Sequence, residues 1–270
     1  MSKILTFVGA GNMARSLIAG LVQDKTNLLL QVSDPAQDQL DSIQKNWPRV
    51  KVFTDNNEAC LQADIIVLAV KPHLLPVVCE ELQQTVQASR PLLISIAAGV
   101  REANINHALG GNLPIVRCMP NTPALVQAGA TGLFANQQVS SEQRSSAEAI
   151  LRAVGITLWF DDEAQLDAVT AVSGSGPAYF FQVMEAMQQA ATQLGLSKEE
   201  ARLLVLQTAL GAAKLAMESS DDVGVLKERV TSKGGTTEAA LKVLNEGGLG
   251  ELFQQALSSA RQRAVELAET

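Results

Sequence analysis

The 270-residue sequence predicts an α/β protein in two parts: a doubly wound parallel sheet over residues 1–160 and an all-helical domain over residues 161–270. Three observations lead there. Short β-rich runs alternate with helical stretches through the first part, a glycine-rich turn joins the first run to an amphipathic helix, and the strand signals stop after Asp161.

The β-rich runs cover residues 4–8, 29–33, 50–53, 65–70, 92–96 and 115–119. The fourth and fifth are apolar at nearly every position, as strands covered by helices on both faces must be. Met13, Leu17, Ile18 and Leu21 fall on one helical face, so the first unit reads as βαβ. Residues 130–135 and 155–160 extend the sheet, with Ala147, Ile150, Leu151 and Val154 lining one face of the helix between them. In the second part, helices are expected over residues 178–194, 198–219, 237–245 and 250–269. Pro177 suits a first helical turn, Ser197 with Glu200 makes a capping box, and Gly195 ends the helix before it. These helices are rich in Ala, Leu and Met, and so few of them bury their apolar faces poorly alone. Packing against a second copy of the chain, a homodimer, is therefore expected.

Composition narrows the function. The chain is 47% hydrophobic and 18% charged, as ordinary globular proteins are. Lysine and arginine number 21 against 28 aspartates and glutamates, and the net charge of −7 argues against nucleic acid as a partner. The apolar run at residues 65–70 falls far short of the roughly 20 residues that cross a bilayer, so no membrane span is expected. The N-terminus lacks the succession of basic stretch, apolar core and small-residue cleavage site of a secretory signal, which points to the cytoplasm. Cys60, Cys79 and Cys118 are widely spaced among apolar neighbours and suit reduced core thiols. His73 and His107 form no metal-binding constellation, and no metal is expected.

Gly9-Ala10-Gly11-Asn12-Met13-Ala14 matches the GxGxxG/A pattern of dinucleotide-binding turns, directly after the first strand. Gly9 permits the tight turn, Gly11 lets the backbone approach a pyrophosphate at the helix N-terminus, and Ala14 keeps the helix close to the strand. A tight turn without ligand is the alternative. Asp34 follows the second strand, 23 positions after Gly11, where an acidic side chain accepts hydrogen bonds from the adenosine ribose. A carboxylate there favours NAD(H) and repels the 2′-phosphate of NADP(H), unless Asp34-Pro35 simply starts a turn. Ala69-Val70-Lys71-Pro72 and Ala97-Ala98-Gly99 end the fourth and fifth strands, where ligands of open α/β sheets lie. Lys71 reads equally as a cofactor contact or a solvated lysine. Met119-Pro120-Asn121-Thr122-Pro123 is similarly placed, and its prolines also explain it as a rigid turn.

Residues 230–238, VTSKGGTTE, form a loop rich in glycine and hydroxyls that leads into a helix near Thr237. Backbone N–H groups, the positive helix end and threonine hydroxyls suit a carboxylate, although an ordinary capped loop fits the residues equally. Ser173-Gly174-Ser175-Gly176-Pro177 reads as a hinge and cap.

VGAGNMA, AVKP, SIAAGV, RCMPNTPA, SGSGPAY and VTSKGGTTEAAL, taken in this order and spacing, closely resemble the pyrroline-5-carboxylate reductase family over almost the whole chain. The last motif is the most specific. Lys233 stands where the family usually has proline, and Asp222-Val223-Gly224 replaces a common His-Pro-Gly, both outside the GGTT core. The resemblance implies an N-terminal Rossmann-type domain and a helical C-terminal dimerisation domain, with dimers assembling further into a ring. It also implies NAD(P)H-dependent reduction of 1-pyrroline-5-carboxylate to L-proline, the last step of proline biosynthesis. Residue by residue it places Val8, Gly9, Ala10, Gly11, Asn12, Met13, Ser33, Asp34, Asn56, Val70, Lys71, Pro72, Ala97 and Ala98 around the cofactor. Gly235, Thr236, Thr237 and Glu163 fall around the substrate, with Thr237 the catalytic candidate. A cyclic imine is readily protonated to an electrophile, so alignment and a fixed carboxylate matter more than a strong nucleophile, and no catalytic histidine is needed. Two rivals are weaker. A β-hydroxyacid dehydrogenase would need a lysine one helical turn after Ser173-Gly174-Ser175-Gly176, and a non-catalytic sensor of nicotinamide redox state would have little use for the GGTT loop.

Overall fold

Among the described residues, eight strands hydrogen-bond into one sheet in the order β3-β2-β1-β4-β5-β6-β7-β8. They are β1 (Ile4–Val8), β2 (Leu29–Ser33), β3 (Lys51–Phe53), β4 (Ile65–Leu68), β5 (Leu92–Ser95), β6 (Ile115–Met119), β7 (Gly129–Ala135) and β8 (Gly155–Phe160). The computed structural model describes residues 2–269. Helices α1 (Asn12–Gln23), α2 (Gln37–Asn46), α3 (Asn56–Cys60), α4 (Leu75–Ser89), α5 (Glu102–Ala108) and α6 (Ser141–Arg152) connect the strands. Strand order reverses between β1 and β4, because the chain runs outward from β1 to β3 and then returns to the other side of β1.

Both faces of the sheet are covered, which explains the unbroken apolar runs. Leu5, Phe7, Ile65 and Val67 pack on one face with Leu17 and Ile18 of α1, Leu40 and Ile43 of α2 and Ile150 of α6. Ile66, Leu68 and Leu93 point the other way, onto Leu75, Cys79 and Leu82 of α4 and Ile105 of α5. At roughly 1.5–3 kcal/mol for each large side chain fully removed from water, these two layers dominate the stabilisation of the sheet. The three cysteines are free and buried in them. Burial pushes the Cys60 and Cys79 thiols up to about 12 and raises Cys118 as well, so none is a thiolate near neutrality.

The sheet departs from the parallel expectation at one strand. β7 runs antiparallel to β6, with Cys118 opposite Leu133, while every other pairing is parallel. Residues 120–128 between them hold only the 3₁₀ turn Thr122–Val126, and a connection this short cannot carry the chain back along the sheet as a parallel crossover requires. β8 is parallel to β7 because α6 supplies such a crossover. β4 and β5 also stop before residues 69–70 and 96, which leave the ladder as loops at the carboxyl edge.

Beyond β8, α7 (Gln165–Val169) runs into a π-helical turn over Thr170–Gly174, closed by Ser175 N–H to the Thr170 carbonyl at 2.8 Å. The chain divides into two compact units: one takes the residues up to Ser175 together with the stretch from Ala260 on, the other is Gly176–Ser259. The helical unit holds α8 (Gly176–Gln193), α9 (Lys198–Glu218), α10 (Val223–Arg229), α11 (Thr236–Glu246) and the beginning of α12 (Leu249–Glu269). The capping box at α9 is formed: Ser197 Oγ accepts from Glu200 N at 3.2 Å, and Glu200 Oε2 accepts from Ser197 N at 2.8 Å. Gly195 breaks α8 at a φ of +99°. The sequence reading missed α10, which has two turns and too few residues for a periodic signal.

Candidate cofactor cleft and substrate loop

The end of β1 is built by two glycines under different constraints. Gly9 N–H donates to the Ser33 carbonyl at 2.8 Å, its φ is +104°, and a Cβ there would lie 2.7 Å from the Ala69 carbonyl oxygen. Only glycine fits. Gly11 is the N-cap of α1 in extended conformation, and a Cβ on it would meet nothing within 4 Å. The protein itself therefore leaves the space over Gly11 open, at a helix end whose first amides have no intrahelical acceptor and no side-chain cap. That is the form of a cradle for a pyrophosphate.

Asp34 is half-buried and fixes this turn. Its Oδ2 accepts from Ala10 N at 2.9 Å and its Oδ1 from Ala36 N at 2.9 Å. Each oxygen keeps a lone pair for a ribose hydroxyl. Arg15, unnoticed in the sequence, closes the other side: its Nε donates to the Ala10 carbonyl at 2.9 Å, Nη1 to Ser42 Oγ at 2.8 Å, and Nη2 to the Gln39 carbonyl and Oε1 at 3.1 and 3.0 Å. The guanidinium is thereby spent on pinning the glycine turn to α2.

A cleft of about 570 Å³ opens outside the carboxyl ends of β1, β2 and β4. It brings together Gly9, Gly11, Ser33, Asp34, Asn56, Val70 and Lys71 from the expected set. The remaining expected residues do not line it. Val8 and Ala10 are buried, Met13 packs on the core, Asn12 is the exposed first residue of α1, and Pro72 opens an exposed 3₁₀ turn. Ala97 is buried and Ala98 exposed just past β5. The cleft adds residues that the sequence reading passed over, chiefly Thr54, His73, Val77 and Glu81. Thr54 follows β3 at the sheet edge and was legible from that position; Val77 and Glu81 belong to α4, whose closeness only the fold reveals. Among the described residues no cluster of three or more His, Cys, Asp or Glu side chains suits a metal ion, and no helix is long and apolar enough to cross a membrane.

In the helical unit, Gly235 is the N-cap of α11, again without a side-chain cap, and Thr236 and Thr237 are its first two residues. Gly234 takes a φ of +73°, and its N–H donates to Glu238 Oε2 at 2.6 Å, while Gly235 N–H donates to the Ser232 carbonyl at 2.9 Å. The loop is preorganised, with Thr236 exposed and Thr237 half-buried. Gly235 borders a hollow of about 580 Å³ that neither threonine lines. Glu163 belongs to the other unit. Its Oε1 accepts from Arg117 Nη1 at 2.8 Å and from Glu102 N at 2.7 Å.

Residues 163–267 match the family model described as pyrroline-5-carboxylate reductase dimerisation, and residues 4–99 match that of the NADP oxidoreductases dependent on coenzyme F420. The chain is 51% identical to a pyrroline-5-carboxylate reductase of Pseudomonas aeruginosa, over 98% of this chain and 97% of that one. It is 43% identical to that of Pasteurella multocida, over 98% of each. Among solved structures, a pyrroline-5-carboxylate reductase of Coxiella burnetii superposes with a TM-score of 0.94 at 48% identity over the whole of both chains. A Plasmodium falciparum pyrroline carboxylate reductase with NADP bound superposes at 0.85, with 30% identity over 98% of each chain.

Proposed function

The chain belongs to the pyrroline-5-carboxylate reductase family, and from that premise we propose how its own residues carry the reaction. It is a nicotinamide-dependent oxidoreductase that reduces the C=N bond of 1-pyrroline-5-carboxylate to give L-proline, the last step of proline biosynthesis. Similarity over the full chain supports the reaction. The observation that carries the cofactor assignment is the unobstructed Gly11 beside the Asp34 carboxylate, in one cleft where the strand order reverses.

In this reading the first-turn amides of α1 hold the pyrophosphate, with Gly9 to Met13 shaping the turn. Asp34, Ser33 and Asn56 hold the adenosine side, and Val70, Lys71, Pro72, Ala97 and Ala98 border the nicotinamide side. The bound nicotinamide supplies the hydride. Backbone N–H groups of the first turn of α11, from Thr236 onward and beside Gly235, hold the substrate carboxylate, and Thr237 Oγ1 hydrogen-bonds the ring nitrogen, which ends the reaction carrying a proton. Glu163 is assigned to the substrate side. Because Asp34 accepts from hydroxyls and repels a 2′-phosphate, NAD(H) is the preferred cofactor over NADP(H). The chain works as a homodimer joined through the helical unit, with dimers associating into a ring, and its buried reduced thiols suit the cytoplasm.

The decisive assay follows oxidation of NADH and NADPH in parallel on 1-pyrroline-5-carboxylate. Turnover with a higher kcat/KM for NADH is expected; a strong preference for NADPH defeats the assignment of Asp34, and binding of cofactor without turnover defeats the reaction. Thr237→Ala is expected to lose roughly ten- to a thousandfold in kcat/KM, as removal of one positioned polar group does. Unchanged kinetics would take Thr237 out of the mechanism.

A further inference from the structure

Asn56 is held at both ends of its amide. Ser33 Oγ donates to Asn56 Oδ1 at 2.7 Å, and Asn56 Nδ2 donates to Glu81 Oε2 at 3.2 Å. A carboxylate can only accept, so Glu81 turns the NH₂ of Asn56 toward α4 and leaves its oxygen for Ser33. Ser33 is buried and directly precedes Asp34, so two hydrogen bonds link Glu81 to the neighbour of the residue assigned to the adenosine ribose. Asp34 and Glu81 both line the cleft. Its basic side chains, Lys71 and His73, follow β4 in the turn that leads into α4, while the Glu81 carboxylate is drawn to the β2 side by its bond to Asn56.

We propose that Glu81 is a specificity-determining residue for the cofactor: it positions Asn56 against Ser33 and adds a second carboxylate to the ribose end of the cleft, disfavouring a 2′-phosphate. The inference rests on the cofactor reading above. A phosphate brings negative charge and only weak donor capacity to a place furnished with acceptors, whereas a 2′-hydroxyl is a donor. Glu81 is exposed, so its replacement leaves the core intact.

The test uses the full-length protein, with affinities for NADH and NADPH measured from the fluorescence of the reduced nicotinamide and KM values measured alongside. Glu81→Gln removes the charge and keeps an acceptor for Asn56; it is expected to raise the affinity for NADPH relative to NADH by about three- to fivefold, the scale of one partly solvated charge. Glu81→Ala is expected to show the same gain in ratio together with weaker binding of both cofactors, because Asn56 is released. The difference between the parent and Glu81→Gln should narrow as salt rises, which a purely structural role would not produce. A NADPH to NADH ratio equal to the parent's in both variants overturns the proposal. Failure of the Asp34 reading shows elsewhere, as a strong NADPH preference in the unaltered enzyme, and the direction of the shift on replacing Glu81 is measured either way.

Discussion

Gly9 and Gly11 sit two residues apart in one turn and answer to different demands. The first is required by the chain itself, since a Cβ would press on the Ala69 carbonyl at 2.7 Å; the second has open space around it. Gly9→Ala should therefore lower the melting temperature sharply or prevent soluble expression. Gly11→Ala should melt as the parent does while raising KM for the cofactor roughly tenfold, about 1.4 kcal/mol, because the added methyl occupies the approach of the pyrophosphate. A normal KM in Gly11→Ala would place the pyrophosphate elsewhere. Asp34 combines two roles, as its oxygens hold the Ala10 and Ala36 amides and also face the cleft. Removing it would disturb the glycine turn together with the ribose contact proposed for it, which makes Asp34 a poor single probe of cofactor choice and Glu81 a cleaner one. The sequence motif located both glycines and gave each its reason, but not the contact that makes Gly9 obligatory, because the Ala69 carbonyl is brought to it only by the pairing of β1 with β4.

At the scale of elements, two ion pairs fasten α7 and the segment before it to β6 and to the start of α5. Arg117 on β6 meets Glu163 at 2.8 Å, and Arg101 before α5 meets Asp167 at 2.6 Å, with Arg117 and Asp167 almost fully buried. Glu163 also caps α5 through Glu102 N–H. Asn121, in the turn after β6, donates to the Ser173 carbonyl at 3.1 Å and accepts from Ala130 N at 2.9 Å, tying the π-helical turn to β7. Breaking a buried pair leaves an uncompensated charge, so Glu163→Ala should cost about 3 kcal/mol in urea denaturation. Stability equal to the parent's, with kcat/KM for 1-pyrroline-5-carboxylate reduced at saturating cofactor, would instead make Glu163 a substrate contact with no structural part. The sequence suggested Glu163 only by resemblance. Its partners lie 46 and 61 positions away, beyond the reach of any local pattern.

For the whole molecule, the apolar surface of the helical unit matters most. Phe180, Phe181, Leu203, Leu204, Leu210 and Leu215 on α8 and α9 are each more than half exposed in the single chain. So many exposed large apolar side chains on two neighbouring helices are characteristic of a protein interface, and residues 163–267 match a dimerisation domain. Phe180→Glu combined with Leu204→Glu should turn a dimer or larger species into monomers in light scattering, while a monomeric parent would end the homodimer reading. The long helices, unlike α10, were legible, because helical periodicity, the Ser197 capping box and Gly195 act through neighbours in the chain. The central strands β4 and β5 were legible for the related reason that two-sided burial demands nearly unbroken apolar runs. By itself, then, the sequence determined the strands of the first unit, the long helices of the second, the glycine turn and the family, through local spacing and motifs in order. The clamp of Arg15 on α2, the ion pair of Glu163 and the chain from Ser33 through Asn56 to Glu81 were decided by tertiary structure alone, since each depends on which distant segments the fold places side by side.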